Sequence, residues 1–344
     1  MKWPMRRKAL NDRLVMSITG DLLIYGRSLN GRLVRCGIES RGADTPQAFA
    51  RRIRSLDLHA GHLTAVLPLH ECQLLQIEAP AVPADELRSA ARWKIKDLVD
   101  AHLDDLTLDV MVAGDGRTRS QRQLFVAAAH SRAIREIGEL SQAAGLPLAV
   151  IDIRETAQRN LQSAISQAKD RPDSASAALM LHGEQCLLTI CAKGELFYTR
   201  RLNWDALAFA GDGAAGGSKP AHAAAQRPAE ELAMMDIVDY GADAQPGTSA
   251  NGDATPRLVI ELQRSLDLWE RTWPDLPLER LLIQVDAASA ALAALLRESI
   301  ALPIEVLQPE QVFADLAATA ATPQVRSAVI PLLGALLRTE QRQL

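Results

Sequence analysis

Two stretches of the chain carry the residue types of a phosphate cradle. Residues 178–202 read ALMLHGEQCLLTICAKGELFYTRRL, and residues 13–38 read RLVMSITGDLLIYGRSLNGRLVRCGI. In each, an apolar run ends at a glycine followed by an acid, Gly183-Glu184 and Gly20-Asp21. An alternating run follows, and a second turn, Lys193-Gly194 or Asn30-Gly31, leads into a third run. Strand, glycine turn, strand is how several nucleotide-binding folds aim backbone N–H groups at phosphate oxygens. The acid beside each glycine opposes that use, because its charge repels a triphosphate.

Other chemistry has weaker footing. No G-x-x-x-x-G-K-[ST], H-E-x-x-H or G-x-S-x-G occurs. Asp104 and Asp105 are adjacent carboxylates that read as a solvated turn. The histidines His59, His62, His70, His102, His130, His182 and His222 are scattered, and the H-x-x-H at 59 and 62 sits in a loop beside Gly61. Cys36, Cys72, Cys186 and Cys191 show no paired metal-ligand spacing and read as small buried hydrophobes, in a reducing cytoplasm. On one strand, Cys186 and Cys191 would point to opposite faces. No catalytic residue and no metal set is assigned.

The 344 residues accommodate two domains, and 48% hydrophobic content fills their cores. Aromatics are only 4%, so Leu, Ala, Val and Ile must dominate those cores. A net charge of −4 argues against a nucleic-acid binder. The start, MKWPMRRKAL, has no apolar stretch behind its basic residues, so no signal peptide is expected, and Arg6, Arg7 and Lys8 read as a solvated tail. The apolar run AVIPLLGALL is too short to span a bilayer. A soluble protein is expected.

The elements that must position the turns follow from periodicity. Asn-Gly and Lys-Gly between alternating runs are hairpin signals, so two three-stranded meanders open two halves of a duplicated architecture. After the first come a helix over 46–57, strands at LTAVLP and CQLLQIEA, and a helix over 83–100. That helix has an apolar stripe of Leu87, Ala91, Ile95 and Leu98. Lys94 falls near the stripe, its stem packing while its ammonium snorkels or meets a carboxylate. Trp93 projects off it and must pack on another subdomain or meet a partner; the general burial of large aromatics favours the former. Strands LTLDVMVAG and RQLFVAAAH, a helix over 131–144, strand LPLAVIDI and a helix to about Ala168 complete the half, with KDRPDS as boundary. In the second half, Gly/Ala/Ser/Pro-rich segments flank a short helix at AEELAMMDIVDY and should be mobile. A strong helix over 256–273, strand RLLIQV, helix AALAALLRES, strand LPIEVL, a helix from Pro309 and a last helix kinked or divided at Pro331 follow.

This layout resembles the actin-like ATPase superfamily. Within it the chain is similar to PilM-type proteins of type IV pilus assembly, most of all those of the MshI kind in MSHA pilus biogenesis. The residues carrying the likeness are ELRSAARWKIKDLVD followed by DDLTLDVMV, then GELFYTRRL, LVIELQRSLDLWE, LPIEVLQP and LLGALLR, in order across nearly the whole chain. The GspL cytoplasmic domain and FtsA have similar folds. The resemblance implies an α/β, ribonuclease H-like duplicated fold with mixed five-stranded sheets flanked by helices. It implies a first domain at 1–153 with an inserted subdomain at about 69–130, and a second at 154–324 with a flexible insertion at 210–255. A C-terminal helix at 325–344 would pack back on the first.

It also implies a cytoplasmic scaffold, peripheral at the bacterial inner membrane, that holds the cytoplasmic N-terminus of a PilN-like membrane protein and links platform to motor. Many such proteins bind ATP between their halves, usually with an Asp two residues before each turn glycine to organise Mg²⁺ and a glycine pair after a late strand. Here Ile18 and Leu181 stand two residues before Gly20 and Gly183, and Val285-Asp286-Ala287-Ala288 stands at the late turn. Apolar side chains cannot organise Mg²⁺, and Asp21 and Glu184 oppose phosphate. The phosphate turns at Gly20 and Gly183 and the nucleoside turn at Asp286 therefore read as degenerate, with no cofactor expected. Asp12, Asp152 and Asp286 remain as unconventional ligands should ATP and Mg²⁺ bind. Trp93 and its helix are a candidate wall of a groove for the extended partner peptide. The alternatives are an ATP-binding switch or phosphotransferase of this fold, and a polymerising actin-like protein.

Overall fold

The computed structural model describes residues 12–58, 60–116, 122–183, 185–203, 256–285 and 290–339. The sequence-based readings for the basic residues 6–8, for Glu184, for 210–255 and for Asp286 fall outside the described residues.

The first meander is β1 (Asp12–Thr19), β2 (Leu22–Leu29) and β3 (Arg32–Ser40). Then come α1 (Pro46–Ser55), β4 (His62–Val66), β5 (Cys72–Glu78), α2 (Leu87–Lys94), β6 (Leu106–Val112), β7 (Gln123–His130), α3 (Ser131–Ala144) and β8 (Leu148–Asp152). Helix α4 (Arg154–Ala168) leads to the second meander, β9 (Ala175–His182), β10 (Gln185–Ala192) and β11 (Glu195–Asn203). The chain continues with α5 (Arg257–Thr272), β12 (Leu278–Ile283), α6 (Ala290–Ser299), β13 (Ile304–Val306), α7 (Leu316–Thr319) and α8 (Pro323–Leu336).

The duplication is explicit in strand order. One sheet runs β3-β2-β1-β4-β8 and the other β11-β10-β9-β12-β13, each with an antiparallel meander and two parallel strands. A third sheet, β5-β7-β6, carries α2 on one face through Ala91 and Ile95, both fully buried. Helices α1 and α3 cover the outer face of the first sheet through Phe49, Ile53 and Ile137. Helices α5 and α6 cover the second through Leu258, Leu262, Trp269 and Leu296.

Between the two sheets lie α4 and α8, whose Leu161, Ile165, Leu332 and Leu333 meet Val15 of β1 and Ala178 and Met180 of β9. Their crossing is tight: a Cβ on Gly334 would stand 1.7 Å from the carbonyl oxygen of Ala157. Only glycine allows that approach.

Three helices differ from the sequence expectation. The 83–100 helix is confined to Leu87–Lys94: past it the chain tightens into a turn in which the Ile95 carbonyl accepts the Leu98 N–H at 2.9 Å. The helix from Pro309 is a short 3₁₀ turn at Pro309–Gln311 followed by α7. Helix α8 runs undivided through Pro331 because it is buried from Val329 to Leu336, and packing outweighs the missing hydrogen bond.

Candidate functional site

Both meanders close with the same backbone devices. Thr19 pairs with Leu22 and His182 with Gln185, so Gly20-Asp21 forms a two-residue turn and Gly183 follows β9 at the matching position. Gly20 has φ 61° and Gly183 φ 68°, left-handed values that glycine supplies without strain. The second turns match as well: Asn30 and Lys193 each have φ 54°, Gly31 and Gly194 each 80°. A Cβ on Gly20 or Gly183 would meet nothing within 4 Å, so each turn projects into open space. The Asp21 carboxylate accepts a hydrogen bond from Ser40 Oγ at 2.9 Å, which holds it below the usual carboxylate range and keeps it charged.

Strand alternation places other residues between the halves than Ile18 and Leu181. Ile18 packs with the core under α1 and α3, and Leu181 with the core under α5 and α6, so both face away from the interdomain layer. With period 2, Val15 and Ser17 of β1, and Met180 and His182 of β9, share the opposite faces.

What fills that layer is a set of charged and polar side chains from α4. Arg154 is buried and its guanidinium donates to Ser17 Oγ at 2.8 Å. Burial lowers it to about 10, so it stays a cation at neutral pH. Glu155, 1% exposed, accepts from Arg201 of β11 at 2.7 Å. Arg201 also donates to the Leu69 and Cys72 carbonyls at 2.7 and 2.6 Å, tying β11 to the entry of the third sheet. Gln158 Nε2 donates to the Ala178 and Leu187 carbonyls and to Thr189 Oγ1. Asp152 pairs with Arg338 at 3.0 Å.

His182 lies under this network. Its Nε2 is buried without a partner among the described residues, and burial, reinforced by the charges of Arg154 and Arg201, holds it well below its ordinary value. A neutral imidazole thus lies near two arginines, of which Arg154 reaches Ser17. Arg154, Glu155 and Arg201 were not singled out from sequence. The available signal was the run Asp152–Glu155, charged residues at a strand-to-helix junction between two apolar segments.

The remaining sequence candidates lie apart. Asp12, at the far end of β1 from Gly20, is held by Arg27 at 2.9 and 2.8 Å. Asp104 and Asp105 sit in an exposed 3₁₀ turn. Cys186 and Cys191 belong to different core clusters on opposite faces of β10, and burial raises each thiol to about 12. No group of three His, Cys, Asp or Glu among the described residues could hold a metal. Lys94 Nζ donates to the Glu78 carbonyl at 3.1 Å. Trp93 is 72% exposed, so it does not pack on another subdomain: its position opposite Ala91 and Ile95 points it to solvent.

A groove opens beside the first turn. Its volume is 650 Å³, within the range of ligand and peptide sites, and its floor is Ile18, Phe49, Leu67, Ile137 and Leu140. Asp21, Glu71, Glu136 and Glu139 rim it, against Arg41 and Arg132. Helix α2 does not line it.

No family model matches the chain, and no curated protein does. A chain of the solved PilM-PilN type IV pilus biogenesis complex is 19% identical, with 94% of this chain and 96% of that one covered at a TM-score of 0.62. The cytoplasmic domain of EpsL, an inner-membrane component of the type II secretion system of Vibrio cholerae, is 14% identical over 58% of this chain and 76% of its own, with a TM-score of 0.40. A Bacteroides thetaiotaomicron protein with actin-like ATPase fold is 6% identical over 88% of this chain and 94% of its own, at 0.42. No helix among the described residues is long and apolar enough to cross a membrane. The chain has a duplicated α/β fold that, over 94% of its length, is similar to the fold of the chain from the PilM-PilN complex.

Proposed function

We propose that this protein is a non-catalytic scaffold of a type IV pilus of the MSHA kind, or of a related secretion platform, cytoplasmic and peripheral at a bacterial inner membrane. The groove between α1 and α3 takes the cytoplasmic N-terminal segment of a PilN-like membrane protein, and pilus platform and motor proteins are further partners. The observation that carries this reading is the end-to-end fold likeness to a chain solved in a complex of PilM with PilN. The groove supports it: an apolar floor of peptide-sized volume lies beside the open Gly20-Asp21 turn.

The cleft supports the absence of nucleotide turnover. Phosphoryl transfer consists mostly of metal and phosphate ligands. Ser17 and His182 offer no carboxylate there, while Glu155 and Asp152 are already engaged by Arg201 and Arg338. The alternative, an ATP-dependent switch or phosphotransferase, would have to displace those pairs.

Isothermal titration with the cytoplasmic N-terminal peptide of a PilN-like membrane protein tests the reading. The expected Kd is on the order of micromolar. Gln47→Trp, an exposed change that fills the groove from the start of α1, should abolish the heat without altering the melting temperature. Absence of binding by the wild type, or undiminished binding by the variant, would overturn it.

A further inference from the structure

Trp93 is the most exposed of the large apolar side chains described: Leu22, Leu29, Val34, Ile260 and Val306 lie between 37% and 47%, against its 72%. It stands on α2, whose inner face is fixed to the third sheet by Ala91 and Ile95. The indole therefore sits on an anchored platform, away from the groove.

The charges around it are sorted. Arg88 is drawn to Asp109 at 3.1 Å, Arg92 to Asp104 at 2.7 Å, and Lys94 Nζ donates to the Glu78 carbonyl. Three cations of the helix are thus turned onto their own subdomain. Five exposed carboxylates, Asp85, Glu86, Asp97, Asp100 and Asp105, form no ion pair among the described residues. Glu86 precedes Trp93 by two helical turns and so shares its face. Lys96, one turn after Trp93, is also exposed, so the stretch presents to solvent an indole with five carboxylates against that one lysine, a net acidic surface.

We propose that this face of α2 is a second docking surface, separate from the peptide groove, for a cationic segment of a protein partner that carries arginine. A guanidinium can lie on the indole ring while the carboxylates take its N–H groups. The same carboxylates repel an anionic membrane, so a lipid surface is not the occupant. The charge arrangement sets the partner class: rigid aromatic anchors with complementary charge are where interfaces concentrate their affinity.

The test uses the full chain and a fluorescently labelled Arg-Gly repeat peptide at low salt, with its Glu-Gly counterpart and phosphatidylserine vesicles as controls. The Arg peptide should bind, and the two controls should not. Trp93→Ala should weaken binding about fivefold, and Asp97→Asn with Asp100→Asn by a similar factor, both with unchanged melting temperatures. Gln47→Trp should leave Arg-peptide binding intact, so failure here is distinct from failure of the groove reading. Wild-type binding that is absent, or equal in the Trp93 and Asp variants, overturns the proposal. So does Trp93-dependent binding to the vesicles.

Discussion

The two meanders share strand order and left-handed φ values at their turn glycines, yet the side chains beside their first turns have different surroundings. Gly20-Asp21 edges an open groove, with Ile18 on its floor and Asp21 tied to Ser40. In the second half, the residue before the turn is His182, covered and flanked by Arg154 and Arg201. A duplicated backbone can therefore keep both turn glycines open while the residue that leads into one of them, His182, is set against an internal ionic seam. In this reading, the first half meets partners and the second half locks the molecule together.

The largest expected effect lies at the crossing both halves share. Gly334→Ala drives a methyl into the Ala157 carbonyl and should lose about 3 kcal/mol or more in urea unfolding, as overpacking does. A variant as stable as wild type would break the picture of α4 and α8 as the common support. Next is the seam. Arg201→Ala leaves Glu155 buried without its cation and removes two donors to Leu69 and Cys72, which should cost about 3 kcal/mol. On the other side of the comparison, Asp21→Asn removes charge at an exposed turn and should leave the urea midpoint where it is in the wild type. Equal losses at the two sites would erase the distinction between them.

A pH measurement sharpens it further. His182 is neutral in the native protein, with its proton affinity held below the ordinary value near 6.5 by burial and by the two arginines. Below about pH 6.5 the unfolded chain takes up a proton that the native histidine refuses. Stability is thus complete above that pH and declines as pH falls toward the native value. His182→Gln should flatten the decline, and an unchanged slope would place the charge elsewhere. The smallest effect is at the surface: Trp93→Ala should leave urea unfolding within about 0.5 kcal/mol.

The meanders were legible because Asn30-Gly31 and Lys193-Gly194 state their turn type locally. Helix α3 was legible to the residue, since Gly145 caps it, and so was the end of α6 at Ser299. Helix α8 was not, because burial on all sides suppressed the break that Pro331 signals. The cleft was only partly legible. Ile18 and Leu181, the residues two before the turn glycines, proved to face the outer cores, as the period-2 alternation with Val15 and Met180 requires. Arg201, a residue of β11 that reaches Glu155, was hidden because its partner lies 46 residues earlier in the chain.

In the function proposed above, the protein's own charges hold the cleft between the halves without nucleotide. Thermal unfolding with and without millimolar Mg-ATP tests it most directly. A ligand that binds only the native state adds about 2.7 kcal/mol when present at a hundredfold its Kd. The account predicts superimposable transitions. A rise of several degrees that requires Mg²⁺ would contradict it.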